Sequence, residues 1–251
     1  MDGHRTGVTA PTADNVDEAL GVIADGVYTA PNGQTFAEGT PAYAVAADMI
    51  AVQPQMKTLK EVVGHTTRAM AAAAPESELS NWWVDRMMVD VAELTKRKVD
   101  VGFLNFGGIR TSLPQGDILL DDFVSMFPFK NYLTYVALKG SDLQEVFNFI
   151  AATRPFVIGG AKMVVSGHQI DTLLVGGKPI DPNKVYGVAT VDFLIDGGDG
   201  MTVGKNAKEL RTTDFTVIDA VMKYVRSLQA AGKPIEYFTD GRLVYDNWEE
   251  K

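Results

Sequence analysis

The chain has 251 residues, of which 46% are hydrophobic, 22% charged and 9% aromatic, enough apolar material to bury a sizeable core and too much for wholesale disorder. Against 32 Asp and Glu stand 23 Lys and Arg, and the formal charge of -9 sets up a field that repels nucleic acid and anionic lipid surfaces. Cysteine is absent, which excludes disulfides, thiolate metal sites and a thiol nucleophile, and the longest apolar run, near Ala42 to Val52, is broken by Asp48 short of the roughly 18–20 residues of a membrane span.

Residues 1–41 are rich in Gly, Pro, Thr, Asn and Asp, which predicts an irregular extension with one hairpin ahead of a domain over 42–251. The opening Met1-Asp2-Gly3-His4-Arg5 does not read as a signal peptide. Tyr43 to Lys57 consists mostly of helix formers, and Glu61 to Met70 alternates polar and apolar residues like a strand. Ser77 is placed to cap a helix carrying Leu79, Trp83, Met87, Val91 and Leu94 at helical spacing, with Lys96-Arg97-Lys98 at its C-terminal dipole.

Val99 to Leu104 has the length of a buried strand and stops at Asn105 before two glycines. A short helix at Asp121 to Met126 and a half-buried strand at Tyr132 to Leu138 follow. Ser141 with Gln144 reads as a capping box ahead of the apolar face Leu143, Val146, Phe147 and Ile150. Two hairpin-like segments, Lys162 to Gly167 and Asp171 to Pro182, lead to a strand at Val185 to Val191 that runs towards Asp196-Gly197-Gly198-Asp199-Gly200. The last helix is expected to begin near Thr213, bury Phe215, Ile218, Met222 and Val225, and end at Gly232 before a closing strand at Arg242 to Tyr245. This order of elements predicts an α+β fold, a mixed α/β single domain with glycine loops at strand ends.

Those loops are the candidate site, because open mixed sheets bind small ligands at strand ends. In the first, Gly107 and Gly108 allow close backbone approach, Asn105 offers a donor and an acceptor, and Arg110 supplies a planar fork matched to phosphate or carboxylate. In the second, Gly198 precedes Asp199, whose acceptor-only carboxylate suits a pair of sugar hydroxyls. Read as residues alone, both loops are equally ordinary turns, with Arg110 and Asp199 as solvated or mutually paired charges.

The segment Asn105-Phe106-Gly107-Gly108-Ile109-Arg110 resembles the Asn-x-Gly-Gly-Ile-Arg signature of the 5'-nucleotidase family's C-terminal, substrate-binding domain. Glu76-Ser77-x-Leu79-Ser80-Asn81 with Asp85, then Phe127-Pro128-Phe129-x-Asn131 followed by Leu138-Lys139-Gly140, then Phe193 to Gly200, resemble further family segments in the same order, over roughly Glu61 to Tyr245. The resemblance implies a nucleoside or nucleotide held between the rings of Phe129 and Phe193, with Asn105 at the base edge, Asp199 on the ribose hydroxyls and Arg110 facing the phosphate or ribose. Stacking of that kind contributes about 1–3 kcal/mol per base and tolerates different bases. Lys130 stands where the family carries glycine, Phe106 where it carries a small residue, and the family's arginine before the Glu-Ser pair is absent from Ala71 to Pro75.

Family members also carry a two-metal phosphoesterase domain built from several His, Asp and Asn ligands. The three histidines here, His4, His65 and His168, do not make such a set, so divalent metals are expected only in a partner metallophosphatase domain, and no cofactor in this chain. The expected role is a substrate-binding domain of a hydrolase family, inactive alone, that lends its pocket to a separate metallophosphatase chain in nucleotide catabolism, in a periplasmic or extracellular setting by family resemblance. The alternative is an interaction or scaffold protein that keeps the fold without a nucleotide site. A hydrolase using Asp196 and Asp199 as paired acids is the weakest reading, since metal ligands are lacking beside them.

Overall fold

The computed structural model describes residues 19–246. The chain divides into two compact units, Met1–Val62 with Leu119–Asp121 and Val63–Ile118 with Asp122–Lys251.

In the first unit, β1 (Val22–Ala24), β2 (Val27–Thr29) and β3 (Thr35–Ala37) form an antiparallel meander, where the composition suggested one hairpin. The overlooked signal is Asp25-Gly26, a two-residue connection with φ of 50° and 72° at its two positions, the handedness that a tight hairpin requires. Helix α1 (Pro41–Met56) follows, capped by the Thr40 hydroxyl accepting from the Tyr43 N–H, with proline at the position where no N–H is needed.

The second unit is built on a five-stranded sheet in the order β12 (Glu209–Thr216), β7 (Tyr132–Lys139), β11 (Val185–Val191), β5 (Val101–Leu104), β8 (Val157–Gly159). Helix α2 (Glu78–Thr95) covers one face and α4 (Gly140–Thr153) the other. Adjacent strand residues demonstrate this: a side chain at Gly102 would meet Val84 and Met88 of α2 at 2.8 Å, whereas Phe103 packs edge-on against Phe147 of α4 at 5.1 Å between ring centroids. Strand β7 is therefore buried on both faces from Leu133 to Leu138, where its alternation suggested one wet face. Two smaller groups lie chiefly in this unit, apart from Val62 and residues 119–121: β4 (Val62–Thr66) pairs with β6 (Gly116–Leu119), which leads into α3 (Leu120–Met126), and β9 (Ala161–Ser166) lies between β10 (Gln169–Val175) and β13 (Leu243–Tyr245).

Three expectations are corrected. Ser141 does not cap α4: the helix begins a residue earlier, and its first free N–H groups, on Gly140 and Ser141, donate to the carbonyls of Lys184 and Pro182. Gly140 permits this, because a Cβ there would sit 2.0 Å from the Asp181 carbonyl oxygen. The last helix, α5 (Val217–Ala230), starts later than Thr213, since Glu209–Thr216 is the edge strand β12. Its N-terminus is set by a capping box between Thr216 and Asp219, so the buried face is Val217, Ala220, Val221 and Val225, and Phe215 is left exposed. Finally, β9 and β10 form one hairpin instead of two separate ones.

Beyond α2, the basic run also serves otherwise than expected. Lys96 closes the helix in the left-handed region, Arg97 pairs with Glu209 of β12, and Lys98 pairs with Asp100.

Candidate functional site

Sheet topology brings the candidate residues to one edge. Strand β11 runs parallel to β5 and antiparallel to β7, with Val191 opposite Leu133, so β5 and β11 end where β7 begins. Asn105, Phe193 and Phe129 all leave the sheet there. Asp192 ties two of these segments together, its Oδ1 accepting from the backbone N–H of Phe193 at 2.9 Å and of Tyr132 at 3.0 Å. Sequence reasoning passed over Asp192, which stood only as the residue before an aromatic.

The glycine loops themselves are joined by a side-chain hydrogen bond: Asn105 Nδ2 donates to Asp199 Oδ2 at 2.7 Å. A Cβ on Gly198 would lie 1.9 Å from the Phe193 carbonyl oxygen, so close backbone approach requires that glycine, whereas a Cβ on Gly108 would lie 2.9 Å from Asn105 Oδ1 and would displace that side chain. Asp199 holds φ 53° and ψ 23°, in the left-handed region that Asp tolerates better than most residues. Phe129 and Phe193 are 48% and 44% exposed, unlike the buried Phe103, Phe123 and Phe147, so neither ring is core packing. Phe129 lines a shallow cleft of about 20 Å³ with Trp83, Asn105, Gly108, Phe127 and Asn131, a cleft whose walls, among the described residues, do not include Phe193, Arg110 or Asp199.

Arg110 does not pair with Asp199. Its Nη1 donates to the Gly107 carbonyl at 3.3 Å and its guanidinium lies 5.9 Å from the centroid of the Phe129 ring. The cation paired with Asp199 is Arg154, whose Nη2 is 3.1 Å from Asp199 Oδ1. Arg154 follows α4 directly and no local pattern in the sequence marks it.

Residues 62–206, more than half of the chain, match the family described as 5'-nucleotidase, C-terminal domain. The chain belongs to that family. It is 29% identical over 161 residues to Protein UshA of Yersinia enterocolitica and 27% identical over 167 residues to the 5'-nucleotidase of Vibrio cholerae, covering 61% and 63% of this chain and 29% of each relative. Thus it spans less than a third of the length of those curated relatives. The 5'-nucleotidase precursor from Thermus thermophilus superposes with a TM-score of 0.72 over 86% of this chain and 46% of that chain, which at 23% identity is a likeness of fold.

Within this 5'-nucleotidase C-terminal domain, the Glu76 to Asp85 segment is an anchor. Asn81, buried in α2, donates to Glu76 Oε1 at 2.7 Å and to the Phe238 carbonyl at 3.2 Å, and Glu76 Oε1 also accepts from the Asp240 N–H at 2.8 Å. Asp85 accepts two bonds from Arg242, at 2.8 and 2.9 Å, and one from the Tyr237 hydroxyl at 2.6 Å. Burial and then the bond to Asp85 push the Tyr237 hydroxyl well above the usual phenol range, and the hydrogen bond from Arg242 holds the Asp240 carboxyl below the usual carboxylate range. These residues clamp the C-terminal segment to α2 and lie apart from the Asn105–Asp199 pair.

A two-metal centre does not fit the described residues. His65 Nδ1 faces one carboxylate, Asp117 Oδ1, at 3.2 Å on the exposed surface, His168 occupies the turn between β9 and β10, and His4 lies outside the described residues. Among the described residues no three His, Asp or Glu side chains are grouped to hold a metal ion. No helix among them is long and apolar enough to cross a membrane.

Proposed function

We propose that this chain supplies the nucleotide-recognition half of a 5'-nucleotidase-type hydrolase in nucleotide catabolism, in the periplasmic or extracellular setting that the family resemblance implies. A base stacks on Phe129 and Phe193, Asn105 meets its edge, Asp199 accepts from the ribose hydroxyls, and Arg110 faces the phosphate or ribose. Gly107, Gly108 and Gly198 give the backbone its close approach. Phosphoester chemistry and its divalent metals belong to a separate metallophosphatase unit, whose ligand set is not grouped among the described residues. The observation that carries this reading is the 2.7 Å bond between Asn105 and Asp199, which couples the two glycine loops beside two exposed phenylalanines. Exposed rings at a coupled polar pair are what a sequence-tolerant base platform requires.

A second reading, an interaction protein that keeps the fold without a nucleotide site, draws on a different observation. Arg110 already lies over the Phe129 ring, and both oxygens of Asp199 already have partners. Titration with adenine, adenosine and AMP separates the two. Saturable binding that weakens in Phe193→Ala supports recognition, and no binding of any of the three supports the scaffold.

A further inference from the structure

We infer that Arg154 is a positioning residue for Asp199, and that it sets the preference of this site for a vicinal diol over a deoxyribose. The inference rests on the nucleotide-recognition reading above.

Arg154 is held from behind. Its guanidinium carbon lies over the Phe156 ring, 5.4 Å from the centroid, and Phe156 is buried and in ring contact with Phe149 of α4 at 6.1 Å between centroids. The same Phe149 lies under the Asp199 turn, its Cζ 3.2 Å from where a Cβ on Gly200 would stand. One aromatic pair at the end of α4 therefore supports both the cation and the loop that carries its carboxylate partner. A planar fork lying over a fixed ring loses little further freedom when it pairs, which a lysine at this place would not reproduce.

The carboxylate is consequently held at both oxygens, Oδ2 by Asn105 at 2.7 Å and Oδ1 by Arg154 at 3.1 Å. An ionised carboxylate offers about four lone-pair sites, so roughly one acceptor remains on each oxygen. Two acceptors with a fixed spacing and plane suit two adjacent hydroxyls, each donating once. Without Arg154 the carboxylate keeps one anchor and turns about its last torsion, and a single hydroxyl is then accepted as readily as two. The pair itself is a half-exposed ion pair, of a kind that contributes little to folding. Its consequence is orientation.

The test is titration of the full chain with adenine, adenosine and 2'-deoxyadenosine, for wild type, Arg154→Ala, Arg154→Lys and Phe193→Ala. Wild type is expected to prefer adenosine over 2'-deoxyadenosine by about three- to tenfold, the usual worth of one hydrogen bond in a solvated site. In Arg154→Ala that ratio falls towards one, with adenine affinity unchanged and the melting temperature moved by less than about 2 °C. Arg154→Lys gives an intermediate ratio, because the charge returns without the fork. A merely structural role would move the melting temperature and all three ligands together. If Arg154→Ala keeps the wild-type ratio while Phe193→Ala weakens every ligand, the recognition reading stands and the role of Arg154 is overturned. If wild type binds none of the three, both fall.

Discussion

In the proposed recognition, Asp199 and Phe193 have roles that substitution separates. Removing the carboxylate in Asp199→Ala takes away the hydroxyl acceptor and leaves the rings, so adenosine is expected to weaken by about three- to tenfold relative to adenine. Calorimetry or ligand-observed NMR on the two ligands checks this. Arg110 is committed to the Gly107 carbonyl and the Phe129 ring, and the molecule carries a formal charge of -9, so its attraction for a phosphate is weak and screened. AMP and adenosine should accordingly bind within about threefold of each other at physiological salt, where charges beyond roughly 8 Å are screened. AMP binding far more tightly than adenosine would place a stronger phosphate grip at this site than Arg110 alone supplies.

At this scale, the loops carrying Asn105, Arg110 and Asp199 stood out because glycines follow buried strands there, whereas Phe129 and Phe193 entered only through the family resemblance. Arg154 and Asp192 did not stand out. Their partners come from other strands and loops, and the sheet order that brings them together is not written in any local window.

Among elements, the sequence was most readable where one helix face or one strand carried the whole signal, as in α2 and β11. It failed at starts. Ser141-x-x-Gln144 and Thr216-x-x-Asp219 both look like capping sequences, and only the second forms one, because Gly140 lets α4 begin earlier against the 181–184 loop. The second half of the edge strand β12, from Thr213, was expected as the start of the last helix, since its exposed face left no buried alternation to find. Gly198→Ala tests how strictly the loop geometry is required: with a Cβ 1.9 Å from the Phe193 carbonyl, the turn must shift, and a loss of about 1–3 kcal/mol in chemical denaturation is expected together with weakened adenine binding. Unchanged stability and binding would mean the turn relaxes freely.

The clamp between α2 and the C-terminal segment carries a pH dependence. Arg242 donates to Asp240 and holds that carboxyl below its unfolded value near 3.9, so the clamp contributes stability above about pH 4 and loses it as pH falls through the lower folded value. Asp240→Asn should lower stability at pH 7 and flatten the fall between about pH 5 and 2, measured by urea denaturation across that range. An identical acid profile in wild type and variant would remove Asp240 from the clamp.

Over the whole molecule, the described residues bring the candidate side chains to one sheet edge and group no metal-binding set, in a chain spanning 29% of the curated relatives it matches. Purified chain with added divalent metal is expected to leave AMP unhydrolysed, as read by phosphate release across a sizing column. Activity that follows the chain through repurification would require catalytic groups that the described residues do not group together. The central claim is that a nucleoside stacks at this edge, and titration of adenosine into wild type and Phe193→Ala by calorimetry tests it most directly. Expected is saturable binding in the high-micromolar to millimolar range by wild type, given partly solvated stacking worth about 1–3 kcal/mol per base opposed by association entropy, and clear weakening in Phe193→Ala. Equal affinity in the two proteins, or no binding by wild type, would contradict it.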